Sequence, residues 1–175
     1  AVLCNGMAGN EMITSEKQKG YQLFRNRLEE MMIHLAKLII SDAEGASKFI
    51  EYQVVGAPSD KVARTLVREI SDSTLVKAAM FGRDPNWGRI VCAAGNAGIP
   101  FDYTSVDLHL GDSETLIQVL DSGQPIEFDR NQVKRLLRES HLRIRLDMNK
   151  GDGQGVGWGA DLSTDYVMFN SIYTT

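Results

Sequence analysis

The chain is poor in cysteine, carries no excess of positive charge and contains no long apolar run. Its two cysteines, Cys4 and Cys92, lie far apart without CxxC spacing. Neither a disulfide framework nor a zinc site is therefore expected, and the two read as reduced, packed thiols suited to the cytosol or an organelle matrix. Lys and Arg together number 19 against 23 Asp and Glu, so no basic stripe suggests a nucleic-acid partner. Nothing approaches the roughly 18 consecutive apolar residues of a membrane span, and the first residues lack a basic, apolar leader pattern. No membrane or secretory segment is expected within these residues. The length, 175 residues, is that of one domain able to bury a core.

What is present alternates between helical and strand-like patterning. Residues 1–4 are apolar and read as the end of a strand before the Asn5-Gly6 turn. Ser15 and Gln18 have capping-box spacing, and Tyr21, Phe24, Leu28, Met31, Met32, Leu35, Leu38 and Ile39 follow as one apolar helical face, expected to pack on a sheet. His34 lies in this helix without a second ligand-type side chain at metal spacing, so it reads as structural. Residues 47–55 alternate as a strand, and Val62, Ala63, Leu66, Val67 and Ile70 mark a second helix opening near Ser59 or Asp60. Further strands are expected over 106–110, with His109 facing solvent, over 115–120, and over 142–148, with Arg143 and Arg145 solvated. Asp129 and Gln132 cap a short helix between the last two, ended by His141. Residues 151–159 carry glycine at every second position. They lack the G-x-x-x-x-G-K-[ST] pattern and a following helix, so they read as a mobile loop rather than a phosphate cradle. Residues 161–173 return to strand character.

Residues 75–90, LVKAAMFGRDPNWGRI, stand apart. The apolar run to Gly82 reads as a buried strand, Asp84 as the cap and Pro85 as the first residue of a helix carrying Trp87, Ile90, Val91 and Ala94. Taken alone, this is a capped strand-to-helix turn without chemistry. Glu44, in the acidic corner before the first strand, is on the same basis a solvated loop carboxylate.

The 75–90 block resembles the SxLVKxAxFGxDPNWGRI block of the ornithine acetyltransferase family, the bifunctional glutamate N-acetyltransferases of arginine biosynthesis. EGASKFIE from Glu44, WGADLSTDYV from Trp158 and the ending NSIYTT from Asn170 resemble further blocks in the same order. Ala160 departs from the family's WGCDL. The resemblance implies an α+β fold, a layered α-β-β-α sandwich shared between α and β chains. It places residues 1–175 as a single-domain portion, the C-terminal part of a β chain. The family's precursor cleaves itself before a threonine that becomes the nucleophile. That threonine is expected upstream of Ala1, so no catalytic residue is assigned here.

The implied reaction moves an acetyl group from N2-acetyl-L-ornithine to L-glutamate through an acetyl-threonine, with acetyl-CoA as a further acetyl donor and no cofactor or metal. The implied partners are the α chain of the same precursor, in an α2β2 heterotetramer, and amino-acid substrates. The implied substrate-binding residues are Glu44, Asn170 and Thr175. A carboxylate at 44 suits the ammonium of ornithine, since a charge-assisted pair is stronger than a neutral hydrogen bond. Lys77, Asp84, Asn86 and Arg89 are expected to hold the turn together. Two other readings stay open: an N-terminal-nucleophile aminopeptidase or amidase on the same scaffold, and a non-catalytic amino-acid-binding subunit.

Overall fold

A computed structural model of the chain describes residues 2–172. The residues fall into two compact units, Ala1–Leu38 and Ile39–Thr175. Thr175, one of the three predicted binding residues, lies outside the described residues.

The first unit leads into the long helix α1 (Lys19–Ser41), whose last residues belong to the second unit. Residues 2–5 have no regular structure, contrary to the expected strand end. The capping box forms in part. Gln18 Oε1 accepts the Ser15 N–H at 3.1 Å and the Thr14 N–H at 2.7 Å, which satisfies donors that a helix start leaves open. The apolar stripe is present at the predicted spacing, but no residue of α1 is buried, and Phe24, Met31 and Leu35 are each at least half exposed. His34 is exposed on the same helix, and both cysteines are free and exposed rather than packed.

The second unit is α+β, as expected. Its strands are β1 (Phe49–Ala57), β2 (Asp107–Asp112), β3 (Leu116–Asp121), β4 (Gln124–Pro125), β5 (His141–Asp147) and β6 (Gly153–Ala160), joined in one sheet of order β4-β3-β2-β5-β1-β6. Among the described residues, only β1 and β5 pair in parallel. Period-two alternation fixes the faces. Ile50, Tyr52 and Val54 of β1 lie opposite Leu142, Ile144 and Leu146 of β5, and all six are buried. The other face carries Glu51, Gln53, Arg143 and Arg145. There Glu51 pairs with Arg143 Nε at 3.4 Å and accepts Trp158 Nε1 at 3.1 Å. The two arginines are thus half-buried, not freely solvated, and His109 beside them is half-buried with an enclosed Nδ1.

The helices of this unit are α2 (Asp60–Asp72), α3 (Thr74–Phe81), α4 (Trp87–Gly95), α5 (Arg130–Leu136) and α6 (Thr164–Ile172). Ser59 caps α2 by accepting the Val62 N–H, and Asp129 caps α5 through the Asn131 and Gln132 N–H groups, as the sequence predicted. Ala63, Leu66, Val67 and Ile70 bury the inner face of α2.

Five expectations are corrected. The 75–82 segment is not a strand but α3. Its buried residues Val76, Ala79 and Met80 recur at three and four positions, a helical period, and Ser73 accepts the Val76 N–H as its cap. The following helix is capped by Asn86, not Asp84: Asn86 Oδ1 accepts the Arg89 N–H. His141 does not end a helix; it opens β5 and its ring sits 5.5 Å from that of Phe49.

Residues 153–160 are an ordered strand rather than a loop, and the alternate glycines explain it. Gly155, Gly157 and Gly159 face the core opposite Val54, Tyr52 and Ile50. A Cβ at Gly155 would lie 2.9 Å from the Ala63 carbonyl carbon, and one at Gly157 would lie 2.6 Å from Val67 Cγ1. Glycine here lets α2 settle onto β6, a close approach that a side chain would block. Finally, residues 164–172 form α6 rather than a strand. Ser163 Oγ accepts the Tyr166 N–H at 3.0 Å and Asp165 sits in the first turn, the polar start that a helix dipole favours.

Candidate functional site

The site is built where the corner before β1 meets the start of α6. Gly45 takes φ +67°, a conformation that costs little only for glycine, and a Cβ there would fall 2.6 Å from the Tyr166 N atom. The corner therefore presses directly on the helix. Two buried polar side chains lock this approach. Asp161 accepts the Ser47 N–H at 2.8 Å, the Ser47 hydroxyl at 2.5 Å and the Lys48 N–H at 3.0 Å. Ser163 donates its hydroxyl to the Gly45 carbonyl at 2.5 Å while capping α6. With its acceptors filled by backbone and hydroxyl donors, Asp161 is satisfied despite burial.

Lys48 completes the frame. Its Nζ donates to the Glu139 carbonyl at 3.0 Å and to that of Arg138 at 3.4 Å. Burial is the main cause that lowers its pKa, opposed by the negative charge of Asp161.

The frame brings two of the predicted residues together. Asn170, on the second turn of α6, donates Nδ2 to Glu44 Oε2 at 3.0 Å and to the Tyr166 carbonyl at 2.9 Å. The amide aims at the carboxylate because the 166 carbonyl, one helical turn back, holds its other hydrogen. Glu44 lines a cavity of about 420 Å³ together with Asp72, Lys77, Trp158, Asp161 and Tyr166, within the size of small-ligand sites. Asn170 meets it through Glu44.

Beneath the wall, Tyr52 is fully buried and its hydroxyl has no hydrogen-bond partner among the described residues. A Cβ at Gly159 would lie 3.2 Å from its ring, and Gly159 also lines the cavity. Burial first, then the Asp161 and Asp72 charges, push the phenol pKa well up, so the ring is neutral throughout the working range of a protein.

The 84–89 residues do hold their turn, as expected. Asn86 Nδ2 donates to Asp84 Oδ2 at 3.1 Å, and an Arg89 guanidinium nitrogen donates to the Leu75 carbonyl at 3.0 Å, tying α4 to α3. Arg83 adds a left-handed residue at φ 57° between the two helices. Lys77 differs from them: it lines the cavity, and its side chain bonds to none of the turn residues among the described residues.

Asp161, Ser163 and Tyr166 are the site residues that sequence reasoning did not single out. Their signal was present in the WGADLSTDYV block, but the strand assigned to 161–173 gave a hydroxyl at 163 nothing to cap. Ala160, the departure from the family pattern, also lines the cavity.

Fold and site together define an α+β protein with a small charged cavity walled by a carboxylate–amide pair. The chain belongs to the ArgJ family, whose model matches residues 1–175. It is 41% identical over 174 residues to the arginine biosynthesis bifunctional protein ArgJ of Staphylococcus epidermidis, covering 99% of this chain and 43% of that one. It is 44% identical over 179 residues to the chloroplastic ArgJ of Ricinus communis, covering 99% of this chain and 37% of that one. Among solved structures, the ArgJ crystal structure from Bacillus halodurans superposes with a TM-score of 0.87 at 36% identity, covering 96% of this chain and 77% of that one. The chain thus spans about two fifths of the curated relatives it matches.

Proposed function

We propose that these residues form the amino-acid-binding wall of an acetyltransferase that moves an acetyl group from N2-acetyl-L-ornithine to L-glutamate in arginine biosynthesis. The observation that carries this reading is the Glu44–Asn170 pair, formed by two blocks distant in sequence and seated on a cavity of ligand size. Membership of a family whose curated relatives are named for arginine biosynthesis supports the substrate class. Glu44 would hold the free ammonium of acetylornithine, and the amide of Asn170 would keep the carboxylate in place and share its charge.

In this reading a threonine hydroxyl from elsewhere in the protein attacks the acetyl carbonyl. The C–N bond breaks, the amine leaves with a proton as ornithine, and the acetyl group rests on the threonine. The neutral amine of glutamate then attacks that ester and releases the hydroxyl. An acyl-enzyme divides one difficult transfer into two easier ones, and one pocket serves donor and acceptor in turn. Acetyl-CoA would load the same threonine as a second donor.

The α chain of the same precursor is the proposed partner, in an α2β2 assembly. The exposed apolar stripe of α1 supports a partner surface, because apolar side chains at helical spacing along 23 residues gain most by being covered. Chloroplastic and bacterial relatives support an organelle matrix or the cytosol as compartment. Thr175 stays with the proposed substrate-binding residues.

The test uses the complete protein. Incubation with N-acetylornithine alone should leave one acetyl group on a threonine, seen by peptide mass spectrometry, and added glutamate should discharge it as N-acetylglutamate. Transfer to water alone, with no acetylglutamate, would favour an amidase and overturn the reading.

A further inference from the structure

The geometry points to Lys77 as the residue that recognises the substrate's α-carboxylate in the Glu44 cavity, an inference that rests on the function proposed above. Of the five polar residues of the 75–90 block, Arg83 is the left-handed link between the two helices, and three are used by the turn itself: Asp84, Asn86 and Arg89 bond to one another or to the α3 backbone. The backbone of Lys77 is also engaged, receiving the Leu162 N–H and donating to the Ser73 carbonyl. Its Nζ makes no hydrogen bond or ion pair among the described residues. Lys77 is half-buried and lines the same cavity as Glu44.

An ammonium in that position, with no protein partner, is suited to an anion from outside. Exposed lysines commonly lack partners because water solvates them, but a half-buried one in a cavity loses part of that solvation and gains more from a ligand charge. None of the cavity's carboxylates, Glu44, Asp72 and Asp161, forms an ion pair with it among the described residues, and Asp161 is filled by Ser47 and the Lys48 N–H. A cavity with a carboxylate and an ammonium as separate groups complements a molecule that bears both charges, which is the chemistry of an amino acid with a free carboxylate and a free amine. Glu44 would take the ammonium of N-acetylornithine and Lys77 its carboxylate. The acceptor, glutamate, would present a carboxylate to the same Nζ.

The test pairs a protein change with a ligand change in the complete enzyme, using N-acetylornithine and its α-carboxamide. The wild type should use the carboxamide at least tenfold less efficiently in kcat/KM. Lys77→Met should raise KM for the acid about tenfold with little change in kcat, leave the carboxamide unaffected and so abolish the discrimination; Lys77→Arg should retain it. If Lys77→Met does not fold, Lys77→Gln carries the same comparison. Full discrimination in the charge-removing variant, with wild-type transfer intact, would overturn the role of Lys77 and leave the acetyltransferase reading standing. No acetyl transfer by the wild type would instead remove that reading and this inference with it.

Discussion

Asn170 Nδ2 lies 3.0 Å from Glu44 Oε2 and joins residues 126 positions apart. Neither has a binding role by local sequence physics, since one sits in a loop and the other near the chain end. The contact exists because α6 is a helix: had 161–173 been a strand, the Tyr166 carbonyl would not lie one turn below Asn170 to orient its amide.

Glycines in β6 and α4 should respond oppositely to alanine. Gly155→Ala places a methyl against the backbone of α2, 2.9 Å from Ala63 and Arg64 atoms, and overpacking of this kind costs about 1–3 kcal/mol. Gly95 ends a helix, has nothing within 4 Å of a built Cβ and no positive φ, so Gly95→Ala should gain up to about 1 kcal/mol from lower unfolded-state entropy. Thermal unfolding of both variants checks this. Equal effects would show that the close approach of α2 to β6 is not a real constraint.

Tyr52→Phe should leave stability unchanged or raise it. The hydroxyl is buried without a partner, and an unsatisfied buried polar group costs about 1–3 kcal/mol, whereas the ring itself packs fully in the core. A fall in the unfolding free energy of more than about 1 kcal/mol would mean that the hydroxyl is bonded in solution.

Stability should fall as pH drops below the ordinary histidine range. Burial first, and then the Arg145 charge, hold the His109 pKa below 6.5, against the opposing Asp107 and Asp147 carboxylates. A lowered pKa means that the unfolded chain binds the proton more readily. The contribution is therefore fully present above 6.5 and is lost as pH falls through 6.5 towards the folded value. His109→Gln, on a face that also carries Gln118 of β3, should flatten the melting temperature between about pH 5 and 7. An unchanged slope in the variant would assign the pH dependence elsewhere.

The parts of this fold legible in the sequence are those where periodicity and capping agree. The first strand, α2 with its Ser59 cap, and α5 with Asp129 follow directly, because alternating residues 50–54 and the spacing of Ala63, Leu66, Val67 and Ile70 admit one period each. The misread segments are those where composition opposed period. The Leu75–Val76 start and the Val167–Phe169 run carry β-branched and aromatic residues, yet Ser73 and Ser163 supply caps that commit both to helix. Residues 153–159 carry a strand's period in glycines, visible only once α2 is known to lie on them. Glu44 and Asn170 owed their selection to resemblance, and nothing local in the sequence brings them together. Lys77 was grouped with the turn residues because its separation from them depends on α3 being a helix.

The binding of N-acetylornithine to the complete enzyme in a double-mutant cycle of Glu44→Gln and Asn170→Ala tests the account most directly. A charge-assisted bond is worth about 1.5–3 kcal/mol, so Glu44→Gln should weaken binding by tenfold or more. Asn170→Ala, which only positions the carboxylate, should have a smaller effect. Because the two side chains touch, the double variant should lose less than the sum of the singles, with a coupling of at least about 0.5 kcal/mol. Unchanged affinity and turnover in Glu44→Gln, with strictly additive losses in the pair, would contradict the assignment of this wall to the substrate.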